Sequence, residues 1–195
     1  MRLWHQIVDL QTAGLVQQVD NSELRVAGSA GGPAWDTDRR AALFADLERG
    51  RPTWPILAWN PSGLPYGRSC LLDGHRRVAT VMSVLDGEAG LVRDLTVAEP
   101  TYLPVGQTTS DGVYWPVNAL VRTMPFLRMQ RAVKHSMPAH LVDRAAEVGH
   151  RLATAKLPLL TLFGGDPASV VPVCERLLPG RVDPATLDQI NAQAE

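Results

Sequence analysis

Apolar residues along the chain recur at helical spacing in some stretches and gather into short runs in others, and the two patterns alternate. Val78, Val81, Met82 and Leu85 stand at i, i+3, i+4 and i+7, which predicts a helix with one apolar stripe, ended by Gly87. Leu43, Phe44 and Leu47 predict a second helix, with Asp36 as N-cap, Asp38 in its first turn and Gly50 past its end. Leu141, Ala145, Val148 and Leu152 predict the longest helix, over 138–155, opened by Pro138. Residues 3–19 are compatible with a short helix, weakened by Gly14. Brief strands are predicted at 24–26, 54–59 and 68–72, and again at 91–97, 113–117 and 156–163, with the pair at 91–97 and 113–117 extending one sheet. Asn118 is predicted to cap a short helix through Arg122. A last helix is predicted after Asp166-Pro167, running through Leu178, and Pro172 predicts a kink or a late start in it.

With 195 residues, 45% hydrophobic and 20% charged, the chain suits one substantial core, read here as a single domain over 1–195. The formal net charge of -1 excludes a general pull toward nucleic acid or anionic membrane, so any polyanion must meet a local patch. The most basic stretch, Arg122, Arg128, Arg131 and Lys134 around Phe126 and Met129, reads as a solvated helix face or as a contact to a nucleic-acid backbone. Cys70 and Cys174 sit in apolar surroundings without metal-ligand spacing, which predicts reduced core thiols. No run approaches the roughly 20 apolar residues of a bilayer span, and His5, Gln6 and Asp9 interrupt any signal-peptide core, so a cytoplasmic protein with no membrane partner is expected. The glycine-rich run 27–33 lacks the phosphate-loop ending and the dinucleotide spacing; it reads as a connector or a ligand loop.

The chemistry concentrates where the pattern changes from strand to helix. Cys70-Leu71-Leu72 is a short apolar run, Asp73-Gly74 a turn, and His75, Arg76 and Arg77 fall in the first turn of the following helix. Free N–H groups there, the positive end of the helix dipole and two guanidiniums together suit a phosphate. The alternative is a solvated arginine pair after an ordinary turn, with Asp73 as N-cap.

The run Leu71-Leu72-Asp73-Gly74-His75-Arg76-Arg77-Val78-Ala79-Thr80-Val81 resembles the DGQQR motif of the N-terminal domain of GmrSD-type modification-dependent restriction proteins, within the ParB/sulfiredoxin-like superfamily. Asp73, Gly74 and Arg77 match, while His75 and Arg76 replace glutamines. Trp35, Gly50-Arg51-Pro52 and the order helix, strand, turn, strand, helix also follow the family, as does Arg176 within Cys174-Glu175-Arg176-Leu177; the resemblance implies a further helix over 184–190, and the likeness covers about 35–190. Gly31-Gly32-Pro33 stands where a Phe-Gln-Arg triplet is usual, and Leu178 replaces an Asn. The resemblance implies an α+β fold, a ParB/sulfiredoxin-like mixed sheet flanked by helices with a C-terminal helical portion.

It also implies a nucleoside triphosphate, with Mg2+, bound or hydrolysed in a DNA restriction or antiphage system. The partners would then be DNA and a separate nuclease or defence protein. On that reading Arg76 and Arg77 hold phosphates, Asp73 positions metal or water, the N–H groups of Gly74 and His75 cradle an oxyanion, and Arg176 forms the opposite wall. Asp73 and Arg77 would be the catalytic pair. Three functions stay open: an NTPase or DNA-nicking module, a ParB-like nucleotide-gated binding module without turnover, and a scaffold that assembles with other proteins.

Overall fold

The computed structural model describes residues 3–26, 35–65, 67–177 and 179, and it is a mixed α+β fold. The chain opens with β1 (Trp4–Gln11) and α1 (Thr12–Asp20), followed by β2 (Leu24–Arg25), α2 (Thr37–Glu48), β3 (Ile56–Asn60), β4 (Ser69–Asp73) and α3 (His75–Leu85). Then come β5 (Leu91–Asp94), β6 (Tyr102–Pro104), β7 (Tyr114–Pro116), α4 (Val117–Val121), α5 (Thr123–Val133), α6 (Ala139–Thr154), β8 (Lys156–Phe163) and α7 (Pro167–Leu177). None of the described helices is long and apolar enough to cross a membrane.

Five strands form one sheet in the order β1-β8-β3-β4-β2. β3 runs parallel to β8 and antiparallel to β4, β1 runs antiparallel to β8, and β2 runs parallel to β4. The registers Gln11↔Lys156, Ile56↔Leu159 and Leu57↔Asp73 therefore bring the end of β1, the starts of β8 and β3, and the end of β4 to one edge of the sheet. Every residue of β3 is buried, as a central strand covered on both faces requires.

Alternation along the strands separates two cores. Ile56, Ala58, Leu71, Leu157 and Leu159 face α2, α3 and α6, whose predicted stripe residues Leu43, Phe44, Leu47, Val78, Val81, Leu85, Leu141, Ala145, Val148 and Leu152 are buried there, with Met82 of the same stripe half-buried against them. Leu57, Trp59, Cys70, Leu72 and Leu162 face the other way, against Val170 and Cys174 of α7. Both cysteines are free and buried in this second cluster. Burial raises the Cys70 thiol despite nearby Arg25, and burial with Glu175 pushes Cys174 up to about 11, so both stay protonated.

Three expectations change. Residues 4–11 are a strand rather than part of a helix: all eight pair in register with β8, and the helix starts only at Thr12. The segments at 91–97 and 113–117 do not extend the main sheet; β5 and β7, with the unforeseen β6, form a separate three-stranded sheet in the order β6-β5-β7. Asn118 does not cap α4, which begins at Val117 after Pro116. Pro172 lies inside α7, and Asp166 caps that helix through Ser169 N at 2.8 Å. The glycine-rich run 27–33, the replacement at Leu178 and the helix expected over 184–190 lie outside the described residues.

Candidate nucleotide site

The strand-to-helix junction of the motif is built by Gly74. Its φ of 96° is left-handed, and a Cβ there would stand 3.3 Å from Cγ1 of Ile56 and 3.4 Å from Cγ2. The turn thus lets β4 pass close over the start of β3 and into α3. Gly74 is the N-cap, with no side-chain cap, and its carbonyl accepts the first helical bond from Val78 N at 2.9 Å. Asp73 is not the N-cap. The N–H groups of the first turn therefore lack a capping side chain, and they lie at the same end of the sheet as the ends of β1 and β4.

The motif side chains separate into different environments. Arg77 is buried: its guanidinium donates to the carbonyls of Trp54 and Pro55, the latter at 3.1 Å, and lies 3.7 Å from the Asp73 carboxylate. Arg76, one residue earlier on the helix, is exposed. His75 is 8% exposed, and its Nε2 has no hydrogen-bond partner among the described residues. Burial holds the imidazole below its ordinary range, an effect partly opposed by Asp73 and by a hydrogen bond to the Leu71 backbone, so His75 is neutral at pH 7. Thr53, beside the two carbonyls that Arg77 holds, also has a buried hydroxyl without a partner among the described residues. Asp73 is partly buried next to Arg77.

Arg176 lies elsewhere. It is exposed on α7, across the sheet from α3, and its Nε donates to the Pro172 carbonyl at 3.2 Å. Among the described residues no group of three or more His, Cys, Asp or Glu side chains converges to hold a metal ion. A cation at the motif would have Asp73 as its protein ligand, with the rest of its coordination from phosphate and water, which fits magnesium.

The segment 49–55 connects this junction to a second feature at the same sheet edge. There a cavity of about 510 Å³ is lined by Asp9, Glu48, Arg49, Arg51, Arg151 and Lys156, among others. Each cation is partnered: Arg49 with Glu99, Arg51 with Asp46, Arg151 with Glu48 and Lys156 with Asp9. Behind the cavity Glu48, 4% exposed, takes a two-pronged contact from Arg93 at 2.8 and 3.2 Å and the Tyr102 hydroxyl at 2.6 Å. Burial, then Glu48 itself, raises the Tyr102 hydroxyl, which remains a donor. Sequence reasoning missed this network, although a charged pair, Arg93-Asp94, inside the apolar run 91–95 was its signal.

The basic stretch expected around α5 is solvated. Arg122, Arg128, Arg131 and Lys134 are exposed, and Arg122 pairs with Asp86. No family model matches the chain, and a search of curated proteins finds no match.

Proposed function

We propose that the chain is a nucleotide-binding module that holds the phosphates of a nucleoside triphosphate at the first turn of α3 and hydrolyses it with Mg2+. The observation that carries this reading is the junction itself: a left-handed Gly74 between a central strand and an uncapped helix start, with Arg76 exposed on the first turn. Such a start presents backbone donors and a partial positive charge to an anion. The Nε2 of His75 and the hydroxyl of Thr53, both without a partner among the described residues, support a ligand with further polar groups. The phosphates are met by the amides of the first turn and by Arg76. Arg77 and Asp73 fix the turn and the segment before β3, and Asp73 shares the cation. The resemblance of Asp73–Arg77 to the GmrSD motif supports a DNA restriction or antiphage setting in the cytoplasm, with DNA and a separate nuclease as partners. Arg176, on α7 across the sheet from α3, takes no part in this site.

Binding without turnover is a second reading, and one observation favours it. A guanidinium directed at Trp54 and Pro55 carbonyls organises the protein rather than neutralising a γ-phosphate. Calorimetric titration with Mg2+ and each of ATP, GTP, CTP and UTP, alongside phosphate release, tests both. At least one triphosphate should bind the wild type, and Arg76→Ala should bind it about tenfold more weakly, near 1.4 kcal/mol. No heat from any of the four would overturn the proposal; binding with no phosphate release would establish the second reading.

A further inference from the structure

We infer that two copies of this chain associate through β1, pairing antiparallel across a two-fold axis at Ile7 to join their five-stranded sheets. β1 is an outer strand, and no described strand lies on its other side. Edge strands of soluble proteins are normally blunted by lysine, proline, bulges or short length. β1 has eight residues, unbroken register with β8, and neither lysine, arginine nor proline. It also exposes large apolar side chains on both faces: Ile7 at 66%, Val8 at 42% and Trp4 at 39%. Such a strand offers free backbone donors and acceptors beside apolar surface.

The sequence of the strand says what fits it. In an antiparallel pair, opposed side chains share a face, so a two-fold axis normal to the sheet must pass through a residue, and the central choices are Gln6, Ile7 and Val8. Centring on Val8 sets Ile7 against Asp9, and centring on Gln6 sets Leu3 against Asp9 and Ile7 against His5. Centring on Ile7 sets Ile7 against its own copy, Trp4 against Leu10, and His5 against Asp9, twice each by symmetry. Centring on Gln6 also matches Trp4 with Val8, and centring on Val8 matches Val8 with itself, but only the Ile7 register combines apolar matches on both faces with imidazole against carboxylate. On one face the Ile7 pair would lie beside Leu160, which opposes Ile7 in the existing sheet. On the other, Leu10 of one copy would extend the stack of Trp4 on Phe163, whose rings are 4.1 Å apart and 9° from parallel. This inference is independent of the nucleotide proposal.

The full chain should elute in size-exclusion chromatography with light scattering at twice its chain mass at tens of micromolar. Ile7→Lys, at a solvent-exposed position, should raise the dimer dissociation constant at least tenfold while leaving the circular dichroism spectrum unchanged. Register is read by oxidative cross-linking. Ile7→Cys should form a covalent dimer, since directly opposed Cα atoms lie about 4.5–5.5 Å apart, within disulfide reach. His5→Cys should not, since its own copy would be about 13 Å away along the strand. The buried native cysteines give little background. A wild-type monomer at those concentrations would overturn the inference. So would a dimer that survives Ile7→Lys, and cross-linking at position 5 instead of 7 would overturn the register.

Discussion

Arg76 and Arg77 are adjacent and chemically identical, yet they do different things because a helix sends consecutive side chains about 100° apart. Arg77 turns inward to the carbonyls of Trp54 and Pro55 and to Asp73, and so binds α3 to the segment that enters β3. Arg76 faces solvent at the open helix start. His75, between Gly74 and Arg76, is buried and neutral, and its depressed pKa makes a signed prediction. Its ordinary value is 6.5, and the folded value lies below that. Between the two the unfolded chain binds more protons, so stability is fully present above 6.5 and falls as pH drops toward the folded value, then levels off. Urea titrations of wild type and His75→Gln across pH 4 to 8 should diverge in that acid window: the wild type loses stability relative to the variant. Parallel curves would show that the imidazole is not held neutral by burial.

At the scale of elements, the helices were legible because their signals are local. Asp36 accepts from Arg39 N at 2.8 Å as its position before α2 predicts, and the stripe of α6 is buried as spaced. β8 was legible at both ends, Lys156 and Phe163. What was hidden depends on partners distant in sequence. The Ile7 and Leu10 spacing suits a helix as well as a strand, and only pairing with β8 decides it. The separation of β5, β6 and β7 into their own sheet has no local signature, and Tyr102–Pro104 is too short to announce itself. At the motif, the glycine turn was readable from spacing, whereas the separation of exposed Arg76 from inward Arg77 was not, since it depends on carbonyls more than twenty residues away. Gly149 makes a similar point in α6. A Cβ there would stand 2.2 Å from the Leu120 carbonyl oxygen, so the glycine permits α4 to cross α6 closely. Alanine favours helices over glycine by about 1 kcal/mol, but Gly149→Ala should destabilise the protein, because the obstacle is backbone. Chemical denaturation reads the sign, and a stabilised variant would contradict this packing.

Across the whole molecule, one buried network ties the small sheet to the main body. Glu48 comes from α2, Arg93 from β5, Tyr102 from β6 and Arg151 from α6, and the Glu48–Arg93 pair is essentially sealed from solvent. Removing one partner leaves an uncompensated buried charge, which costs about 3–5 kcal/mol. Arg93→Met should show that loss in denaturant, and Glu48→Met combined with it should recover part of the stability. A single variant as stable as the wild type would mean that the network is dispensable.

The same arrangement gathers the motif, the segment 49–55 and the cationic cavity at one sheet edge, and the account's central claim is that this edge receives a triphosphate at the start of α3. Backbone amide shifts of the 15N-labelled protein, titrated with a non-hydrolysable triphosphate and Mg2+, test it most directly. The account predicts the largest displacements at the amides of His75, Arg76 and Arg77. Saturable displacements confined to residues away from the start of α3, with those three unmoved, would contradict it.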